Sequence, residues 1–340
     1  MESPLWIDRH RPSLEELPQA DAREYLTEIG RGPVNLLIHG PPGAGKSAAV
    51  YALADELHDQ PETDLMTINI ADFFGMTKKE IVNDPRFEHF LDADRRRASK
   101  ANLVNHVLKE MASYPPVGGS FKTILLDNAE AMREDFQQAL RRVMEQHYEA
   151  TQFVIVTRRT GAVIEPIRSR CAQVPIRAPT DDEIAVVLER IASREGIEYT
   201  DEGLAFIASY AEGDLRRAIL AAQTTAVDGG ELTMEAAYEA LDEVGHDEEL
   251  TALLEQAEAG SFTDARGTLD DLLIDRGYEG EELLVELLRV ARSTYEPEDL
   301  VTLYRLAGDI EFDLTQGAND RVHLGHFLSR LSPAIDGSAR

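Results

Sequence analysis

An octapeptide of the form G-x-x-x-x-G-K-[ST] occupies residues 40–47, with the sequence Gly40-Pro41-Pro42-Gly43-Ala44-Gly45-Lys46-Ser47. A short apolar run, residues 34–39, precedes it, and residues 48–57 have helical spacing. Glycines let backbone N–H groups converge on phosphate oxygens, and the N-terminus of the following helix adds partial positive charge. We therefore expect ATP to bind here, with Lys46 at the β- and γ-phosphates and Ser47 on Mg²⁺. The alternative is a glycine-rich turn without a ligand.

A phosphate loop needs a second carboxylate for the metal, at the end of a neighbouring buried strand. Residues 123–126 are apolar enough for such a strand, and Asp127 follows them directly. We expect Ser47 and Asp127 to be the protein ligands on the Mg²⁺ side. The alternative is that Asp127 only caps the next helix.

The periodicity predicts alternating strands and helices up to about residue 178. Further strands are expected at residues 65–70, 123–126 and 153–157, with helices at 100–111 and 135–146. This alternation predicts a parallel, three-layer α/β domain over residues 1–178.

After Pro179 the pattern changes, and we predict helices only. A helical module is expected at residues 179–243, and a second helical block within residues 244–340. The helices of the module are predicted at residues 184–194, 201–210, 214–226 and 233–241.

The charge of the chain is strongly acidic, with 34 basic and 63 acidic residues and a formal net charge of −29. Its six lysines all precede residue 123, and the remaining basic residues are arginine. Such a surface repels itself in dilute buffer, and the repulsion is screened in molar salt. We therefore expect a cytoplasmic protein of a halophilic organism, although an acidic surface also serves solubility alone. The first residues lack the pattern of a secretory signal, and no apolar run is long enough to span a membrane.

Several further segments resemble the small subunits of archaeal and eukaryotic replication factor C, which belong to the AAA+ family. The segment Trp6-Ile7-Asp8-Arg9-His10-Arg11-Pro12 is similar to the W-x-x-K-Y-R-P segment that lies against adenine in that family. Ile164-Glu165-Pro166-Ile167-Arg168-Ser169-Arg170-Cys171 resembles its I-E-P-I-x-S-R-C segment, and Gly213-Asp214-Leu215-Arg216-Arg217-Ala218 resembles its lid motif G-D-M-R-R-A. Residues 138–145, 311–312 and 317–320 resemble a helix and part of the collar.

The resemblance implies an AAA+ nucleotide-binding domain, a helical lid and an all-helical collar. It implies a clamp-loader subunit that uses ATP and Mg²⁺ to load the sliding clamp onto primer–template DNA, together with a large subunit and other small subunits. Trp6, Arg11 and Pro12 would contact the nucleotide along with the octapeptide.

Two arginines receive catalytic roles from the resemblance, beside Asp127. Arg170 would be an arginine finger that projects into the site of the adjacent subunit, where such groups are worth ~10³–10⁵ in rate. Arg216 would be the sensor of the lid, closing onto the γ-phosphate. The alternatives are a domain-packing salt bridge for Arg170 and an ordinary helix position for Arg216.

Some positions depart from the family pattern. The family usually reads D-E-A-D, whereas this chain reads Asp127-Asn128-Ala129-Glu130, and Arg158 stands where a polar sensor, usually asparagine, is expected. An asparagine amide cannot accept the proton of the attacking water, and losing a positioned base typically costs ~10²–10⁴-fold. We therefore expect slow hydrolysis by this subunit, unless Glu130 takes over that role.

A basic stretch lies between residues 76 and 114, with Lys78, Lys79, the run Arg95-Arg96-Arg97, and Lys100. If the stretch is helical, Arg96 and Lys100 share one face and could contact DNA phosphates. A solvated helix face that pairs with local acids is the alternative.

Two other functions remain open from the sequence. One is a different AAA+ enzyme, such as a branch-migration motor or a protein remodeller; the former would end in a basic winged-helix domain, and the carboxy-terminal block has no lysine. The other is a scaffold that keeps nucleotide only for stability.

Overall fold

The computed structural model describes residues 5–29, 32–87, 90–91, 98–245, 247–276, 278–315 and 319–335. The chain divides into two compact units, Met1–Tyr238 and Glu239–Arg340. The expected boundary near residue 178 falls within the first unit and stays a prediction.

Within the described residues, the first unit contains a five-stranded parallel sheet with the strand order β2-β3-β4-β1-β5. In chain order the strands are β1 (Leu36–His39), β2 (Leu65–Asn69), β3 (Lys122–Asp127), β4 (Thr151–Thr157) and β5 (Ala172–Pro175). All residues of β4 are buried, as expected for a central strand of a sheet that is covered on both faces.

The apolar side chains of the strands alternate between two cores. In β1, Leu36 and Ile38 pack into one buried cluster and Leu37 packs into the other. In β4, Val154 and Ile155 likewise face opposite sides. Because successive side chains of a strand point to opposite faces, helices must cover both sides of the sheet. This arrangement confirms the predicted three-layer α/β architecture.

The helices of the first unit lie before, between and after these strands. They are α1 (Trp6–Arg9), α2 (Ala20–Ile29), α3 (Lys46–Leu57), α4 (Pro61–Asp64), α5 (Ile70–Gly75), α6 (Lys78–Asn83), α7 (Lys100–Ser113), α8 (Glu134–Gln146), α9 (Glu165–Arg168), α10 (Asp181–Glu195), α11 (Asp201–Tyr210), α12 (Leu215–Gly229) and α13 (Met234–Gly245), the last of which crosses the boundary between the units. Helix α10 begins with an N-cap at Thr180, which forms a reciprocal capping box with Glu183.

The prediction that strands end before Pro179 is wrong. The two-residue strands β6 (Glu198–Tyr199) and β7 (Glu231–Leu232) form a small parallel pair. Two residues are too few to show an alternating pattern, so the sequence carries no signal for them. Strand β5 was also missed, because its burial is mixed and its last residue is Pro175, a residue typical of edge strands.

The second unit is helical throughout its described residues. Its elements are α14 (Asp247–Glu258), α15 (Phe262–Asp270), a π-helical turn at Asp271–Asp275, α16 (Gly280–Thr294), α17 (Pro297–Thr315) and α18 (Asp320–Ile335). Leu283 and Leu287 of α16 pack with Leu324, Phe327 and Leu331 of α18 in one buried core. This i, i+3/i+4 spacing confirms the predicted helical block. Gly317 and Ala318, part of the segment that resembles the collar, lie outside the described residues.

Across the described part of the chain, no helix combines the length and the apolar character that membrane crossing requires.

Candidate nucleotide-binding site

The candidate site lies at the carboxyl edge of the parallel sheet. His39 of β1 pairs in register with Thr157 of β4, and Leu126 of β3 pairs with Ile155. The segments after β1, β3 and β4 therefore emerge side by side. In open α/β sheets, this edge is where ligands bind.

The octapeptide forms the turn between β1 and α3. Gly43 has a φ of +66°, and a Cβ at this position would lie 2.0 Å from the carboxylate carbon of Asp214. At Gly40, a Cβ would lie 1.8 Å from the carbonyl oxygen of Ile176. Glycine is therefore required at both positions. At Gly43 the Asp214 side chain leaves no room for a Cβ, and at Gly40 the backbone of Ile176 leaves none.

Lys46 begins α3 and has little exposure to solvent, with 9% of its surface accessible. Its Nζ donates a hydrogen bond to the carbonyl oxygen of Pro41 at 2.5 Å. Burial lowers the pKa of Lys46, and the carboxylates of Asp127, Glu130 and Asp214 oppose that shift. A phosphate group at this position would supply further negative charge to the partly desolvated ammonium.

Ser47 and Asp127 meet at the start of α3 and the end of β3. The Ser47 hydroxyl donates a hydrogen bond of 2.7 Å to Oδ2 of Asp127. Neighbouring ligands of an octahedral cation with metal–oxygen bonds of 2.0–2.1 Å lie about 3 Å apart. The two oxygens thus fit adjacent positions around a divalent cation that also binds phosphate.

Asn128 follows Asp127 in a left-handed conformation, with a φ of 53°. Its Nδ2 donates a hydrogen bond of 3.2 Å to Oδ1 of Asn69, an oxygen that also caps α5. Asparagine tolerates this backbone conformation better than most residues do. Its amide supplies a polar contact between β2 and β3 but no basic group.

Glu130 lies beneath Arg158, with only 6% of its side chain exposed. Its Oε1 accepts a hydrogen bond of 2.7 Å from Nε of Arg158. Its Oε2 accepts from the Thr157 hydroxyl at 2.8 Å and from the Arg158 backbone N–H at 3.2 Å. Burial raises the pKa of Glu130, but these hydrogen bonds outweigh burial and lower the pKa to about 2. With both oxygens engaged and a pKa this low, Glu130 is a weak proton acceptor in this arrangement.

The start of α12 lies directly on the octapeptide. The backbone N–H of Leu215 donates a hydrogen bond of 3.0 Å to the carbonyl oxygen of Gly43. Asp214 caps the helix by accepting from the backbone N–H of Arg217, also at 3.0 Å. Arg216 lines the pocket and is exposed, and its side chain has no hydrogen-bond partner within the described residues. The guanidinium of Arg216 is therefore available to an anionic ligand.

The amino-terminal segment forms another wall of the pocket. Arg11 and Pro12 line it, and the guanidinium carbon of Arg11 lies 4.7 Å from the centre of the Tyr51 ring. Trp6 is buried and does not line the pocket; its backbone N–H donates a hydrogen bond of 2.8 Å to Oε1 of Gln223 in α12. Trp6 thus contacts α12.

Within the octapeptide, Gly40, Pro41 and Ala44 also lie outside the pocket wall, while Pro42, Gly43, Gly45, Lys46 and Ser47 line it.

Arg170 lies outside this pocket, after α9. Its side chain is 41% exposed and makes a 2.7 Å ion pair with Glu145 at the end of α8. One of its terminal nitrogens also donates to the carbonyl oxygen of Pro166 at 2.6 Å. Arg170 therefore cannot serve the pocket of its own chain from this position, and its guanidinium faces solvent.

The pocket as a whole has a volume of about 740 Å³, within the range of small-molecule sites. Among the described residues, its lining contains more basic than acidic side chains, although the chain carries a net charge of −29. The basic residues are Arg11, Lys46, Arg158, Arg190 and Arg216; the acidic residues are Asp8, Asp127, Glu130 and Asp214. Apolar side chains, including Ile7, Val187 and Ile219, line it as well. This combination suits a ligand with an anionic part and an aromatic part.

Tyr51 and Arg190 are among the pocket residues that were not identified from the sequence. Tyr51 lies on α3 at an ordinary helical position, and Arg190 belongs to α10, far from any motif. Arg190 donates a hydrogen bond of 3.0 Å to the carbonyl oxygen of Glu16, while its buried Nε has no hydrogen-bond partner within the described residues and forms a 3.9 Å ion pair with the Glu16 carboxylate. Only tertiary structure brings these residues to the loop.

The basic stretch is described in part. Lys79 on α6 is exposed, whereas Nζ of Lys100 donates a hydrogen bond of 2.7 Å to the carbonyl oxygen of Phe74. The run Arg95-Arg96-Arg97 lies outside the described residues, so the predicted pairing of Arg96 with Lys100 stays a prediction.

Comparison with known proteins adds family evidence to this geometry. Residues 245–330 match the family described as "Replication factor C C-terminal domain", and residues 25–180 match "DNA polymerase III, delta subunit". Among solved structures, a variant of RuvB from Thermotoga maritima superposes with a TM-score of 0.54 at 18% identity, covering 81% of this chain and 90% of that one. At that identity, the likeness shows the fold alone.

Curated relatives match over nearly the whole chain. The replication factor C small subunit of Archaeoglobus fulgidus is 32% identical over 337 residues, covering 96% of this chain and 97% of the relative. That of Halobacterium salinarum is 32% identical over 336 residues, with 96% of each covered. That of Methanocella arvoryzae is 31% identical, covering 100% of this chain and 99% of the relative. The chain therefore belongs to the replication factor C small-subunit family of AAA+ clamp-loader proteins.

Proposed function

We propose that this chain binds ATP with Mg²⁺ as one subunit of a clamp-loader ring, and that its own site hydrolyses ATP slowly. In the ring it acts with a large subunit and other small subunits to place the sliding clamp on primer–template DNA in the cytoplasm. Its main catalytic contribution is Arg170, which it donates to the site of the adjacent subunit.

The observation that carries the ATP assignment is the contact between Ser47 and Asp127 beside Lys46. The 2.7 Å hydrogen bond joins two oxygens from the octapeptide and from the end of β3, and the buried ammonium lies at the start of the same helix. Mg²⁺ usually binds through one or two protein oxygens plus phosphate oxygens and water. Bound there, Mg²⁺ would neutralise phosphate charge, while Lys46 and Arg216 hold the phosphates from two sides.

Slow hydrolysis is supported by the group that follows Asp127. The Asn128 amide donates to Asn69 and offers no proton acceptor for water, and both oxygens of Glu130 are already hydrogen-bonded. Without a positioned base, a rate loss of about 10²–10⁴-fold is typical.

The position of Arg170 supports its action on another subunit. Its side chain is 41% exposed and lies outside the pocket of its own chain. Its ion pair with Glu145, itself 44% exposed, is worth little in solvent and can be exchanged for a contact with phosphate. A finger that acts across an interface also implies an assembled ring.

A scaffold that retains nucleotide without contributing to catalysis is the second candidate, and Asn128 is the observation that favours it. The two functions differ in whether Arg170 affects hydrolysis by a neighbour.

The test is ATP turnover by the purified chain and by its Asn128→Glu variant, measured in molar KCl with equal ATP occupancy. We expect the variant to turn over ATP faster than the wild type, because it regains a carboxylate at the position of a general base. Asn69→Asp serves as the matched control. It adds a carboxylate to the hydrogen-bonded pair of Asn69 and Asn128, but not at the position that directly follows Asp127. Equal and brisk rates for wild type and Asn128→Glu would refute slow own-site hydrolysis.

The assignment to a clamp loader is tested by co-purification with the large subunit and the sliding clamp. Absence of ATP binding together with failure to assemble with the other subunits would contradict it.

A further inference from the structure

Gln19 is a buried polar side chain that the proposed function leaves unused. It lies directly before α2, and only 2% of its surface is exposed. Its side-chain Nε2 donates two hydrogen bonds, one of 3.0 Å to the carbonyl oxygen of Ala44 and one of 2.9 Å to that of Arg177. Ala44 belongs to the octapeptide, and Arg177 belongs to the segment that leads into α10. One amide group thus joins two segments that are far apart in the sequence.

The amide of Gln19 lies just beyond the end of the main sheet. Strands β1 and β5 pair in register as far as His39 and Pro175, and the backbone N–H of Ile176 donates one further hydrogen bond of 2.7 Å to the carbonyl oxygen of His39. After this point one chain turns into α3 and the other continues to α10. Backbone carbonyls that are removed from water require a donor. The Gln19 side chain supplies a donor to each of the two separating chains.

The backbone of Gln19 is itself fixed. Its carbonyl oxygen accepts a hydrogen bond of 3.1 Å from the backbone N–H of Arg23 in the first turn of α2. On either side of it, Leu17 and Ala22 pack into the same buried cluster as Leu36 and Ile38 of β1. The amide is therefore held by the core of the sheet and not by a mobile surface segment.

The segment that Gln19 holds, residues 176–180, also supports the start of α12. A Cβ at Gly213 would lie 3.0 Å from Cβ of Ala178 and 3.4 Å from the carbonyl oxygen of Pro179. The turn before α12 therefore packs closely on this segment. A displacement of residues 176–180 would move the first residues of α12 as well.

The first turn of α12 carries a pocket residue. Leu215 donates its backbone hydrogen bond of 3.0 Å to the octapeptide at Gly43, and Arg216, the next residue, lines the pocket. The position of the Arg216 guanidinium relative to Lys46 thus depends on how α12 lies against the octapeptide.

We propose that Gln19 is a positioning residue of the nucleotide site: its amide holds residues 176–180, and through them α12 and Arg216, in a fixed place beside the octapeptide. The proposal rests on the ATP site proposed above and adds to it a residue that does not line the pocket. Because Arg216 is the group expected at the γ-phosphate, Gln19 affects the binding of ATP more than that of ADP.

A purely structural role is the competing explanation. In that case, Gln19 only satisfies two carbonyl groups, and its loss lowers the stability of the first unit without changing the preference for one nucleotide. The two explanations differ in the ratio of ATP affinity to ADP affinity.

The experiment measures the affinities of the purified full chain for ATP and for ADP by titration calorimetry, with Mg²⁺ in molar KCl. The variants are Gln19→Met, Gln19→Asn, Arg216→Gln and the combination of Gln19→Met with Arg216→Gln. Methionine has nearly the length of glutamine but no donor, and asparagine keeps the donors on a side chain that is one methylene shorter. Thermal unfolding without nucleotide gives the stability of each variant.

Gln137→Met is the matched control. Gln137 is 3% exposed, and its Nε2 also donates to two backbone carbonyls, those of Met132 at 3.1 Å and Ala162 at 2.9 Å. Its Oε1 accepts a further hydrogen bond of 2.8 Å from the backbone N–H of Ile164. Its loss should therefore lower Tm at least as much as the loss of Gln19 does, but it does not line the pocket or join the octapeptide to another segment.

We expect Gln19→Met to weaken ATP binding by about tenfold, part of what a charge-assisted hydrogen bond from Arg216 contributes, and ADP binding by less than about threefold. Gln19→Asn should shift the ratio in the same direction, because its amide cannot reach both carbonyls. Gln137→Met should change either affinity by less than about twofold despite its lower Tm. In the Arg216→Gln background, Gln19→Met should alter ATP affinity by less than about twofold, because the group through which it acts is gone.

Equal losses of ATP and ADP affinity in Gln19→Met would overturn the proposal. So would an undiminished effect of Gln19→Met in the Arg216→Gln background, or a loss of ATP affinity in Gln137→Met as large as that in Gln19→Met. If Gln19→Met does not fold, Gln19→Asn is judged by the same ratio. A wild-type chain that binds neither nucleotide would instead refute the proposed function, so the two failures are distinguishable.

Discussion

The contact between the octapeptide and α12 makes Gly43 a sensitive position. Replacing Gly43 with alanine places a Cβ 2.0 Å from the Asp214 carboxylate, far inside van der Waals contact. Since φ is +66°, the new residue also adopts a left-handed conformation, which costs about 1–2 kcal/mol. The Asp214 carboxylate must therefore rotate away from the octapeptide.

The cost of that movement follows from the hydrogen bond that the carboxylate makes. Displacing Asp214 removes the N-cap of α12, which is worth about 1 kcal/mol. Together with the backbone strain, we expect Gly43→Ala to destabilise the first unit by about 2–3 kcal/mol. For a unit of this size, each kcal/mol lowers Tm by about 2–4 °C.

Gly45→Ala is the matched control, because Gly45 shares the left-handed backbone but a Cβ there meets only Leu215 at 3.4 Å, an ordinary contact. We expect it to show the strain cost alone, about 1–2 kcal/mol. Calorimetric unfolding of the three proteins in molar KCl measures the difference. Equal losses of Tm for Gly43→Ala and Gly45→Ala would refute the reasoning. So would failure of Asp214→Ala to reduce the cost of Gly43→Ala when the two are combined.

Three further predictions concern charge. Arg170→Ala in the assembled ring should lower turnover at the neighbouring site by about 10³-fold or more, while ATP affinity of the isolated chain stays unchanged; a turnover assay with and without the variant decides it. Raising KCl from roughly 0.1 M to about 2 M should increase Tm, because a net charge of −29 is screened; full stability in dilute buffer would contradict this. The pKa of Glu130 is about 2, below its ordinary 4.5, so its charge stabilises the fold fully above pH 4.5 and loses that effect as the pH falls toward 2. The Tm deficit of Glu130→Gln should therefore be largest above about pH 5 and shrink on acidification; a constant deficit from about pH 7 to about pH 3 would count against it.

The sequence was sufficient for the parts of the fold that follow a local pattern. Each of the strands β1 to β4 contains a short apolar run, and their predicted positions agree with the structure to within about two residues. The loop was recognisable because its glycines and Lys46 have fixed spacing between a strand and a helix. Strands β6 and β7 were missed since a two-residue strand has no periodicity.

The site was predictable only where its residues are close to a motif. The spacing does not reveal that Glu130 pairs with Arg158, because this contact joins segments 28 residues apart. Arg190 extends from α10 to the pocket and donates a hydrogen bond to the backbone of Glu16. No local sequence pattern predicts this contact. For Trp6 the motif was identified but the predicted contact with the nucleotide was not found. Its side chain is buried, and its backbone N–H donates a hydrogen bond to α12.

Helix α12 contacts two separate segments of the first unit, the octapeptide and the amino-terminal segment that contains Trp6. Leu215 bonds to Gly43, and Gln223, eight residues or about 12 Å further along, accepts a hydrogen bond from Trp6. Because a short helix is stiff, a ligand that lifts its first turn also disturbs the surroundings of Trp6. Trp6 is the sole tryptophan of the chain. A change in its intrinsic fluorescence therefore reports ligand binding at the glycine-rich turn without an added label.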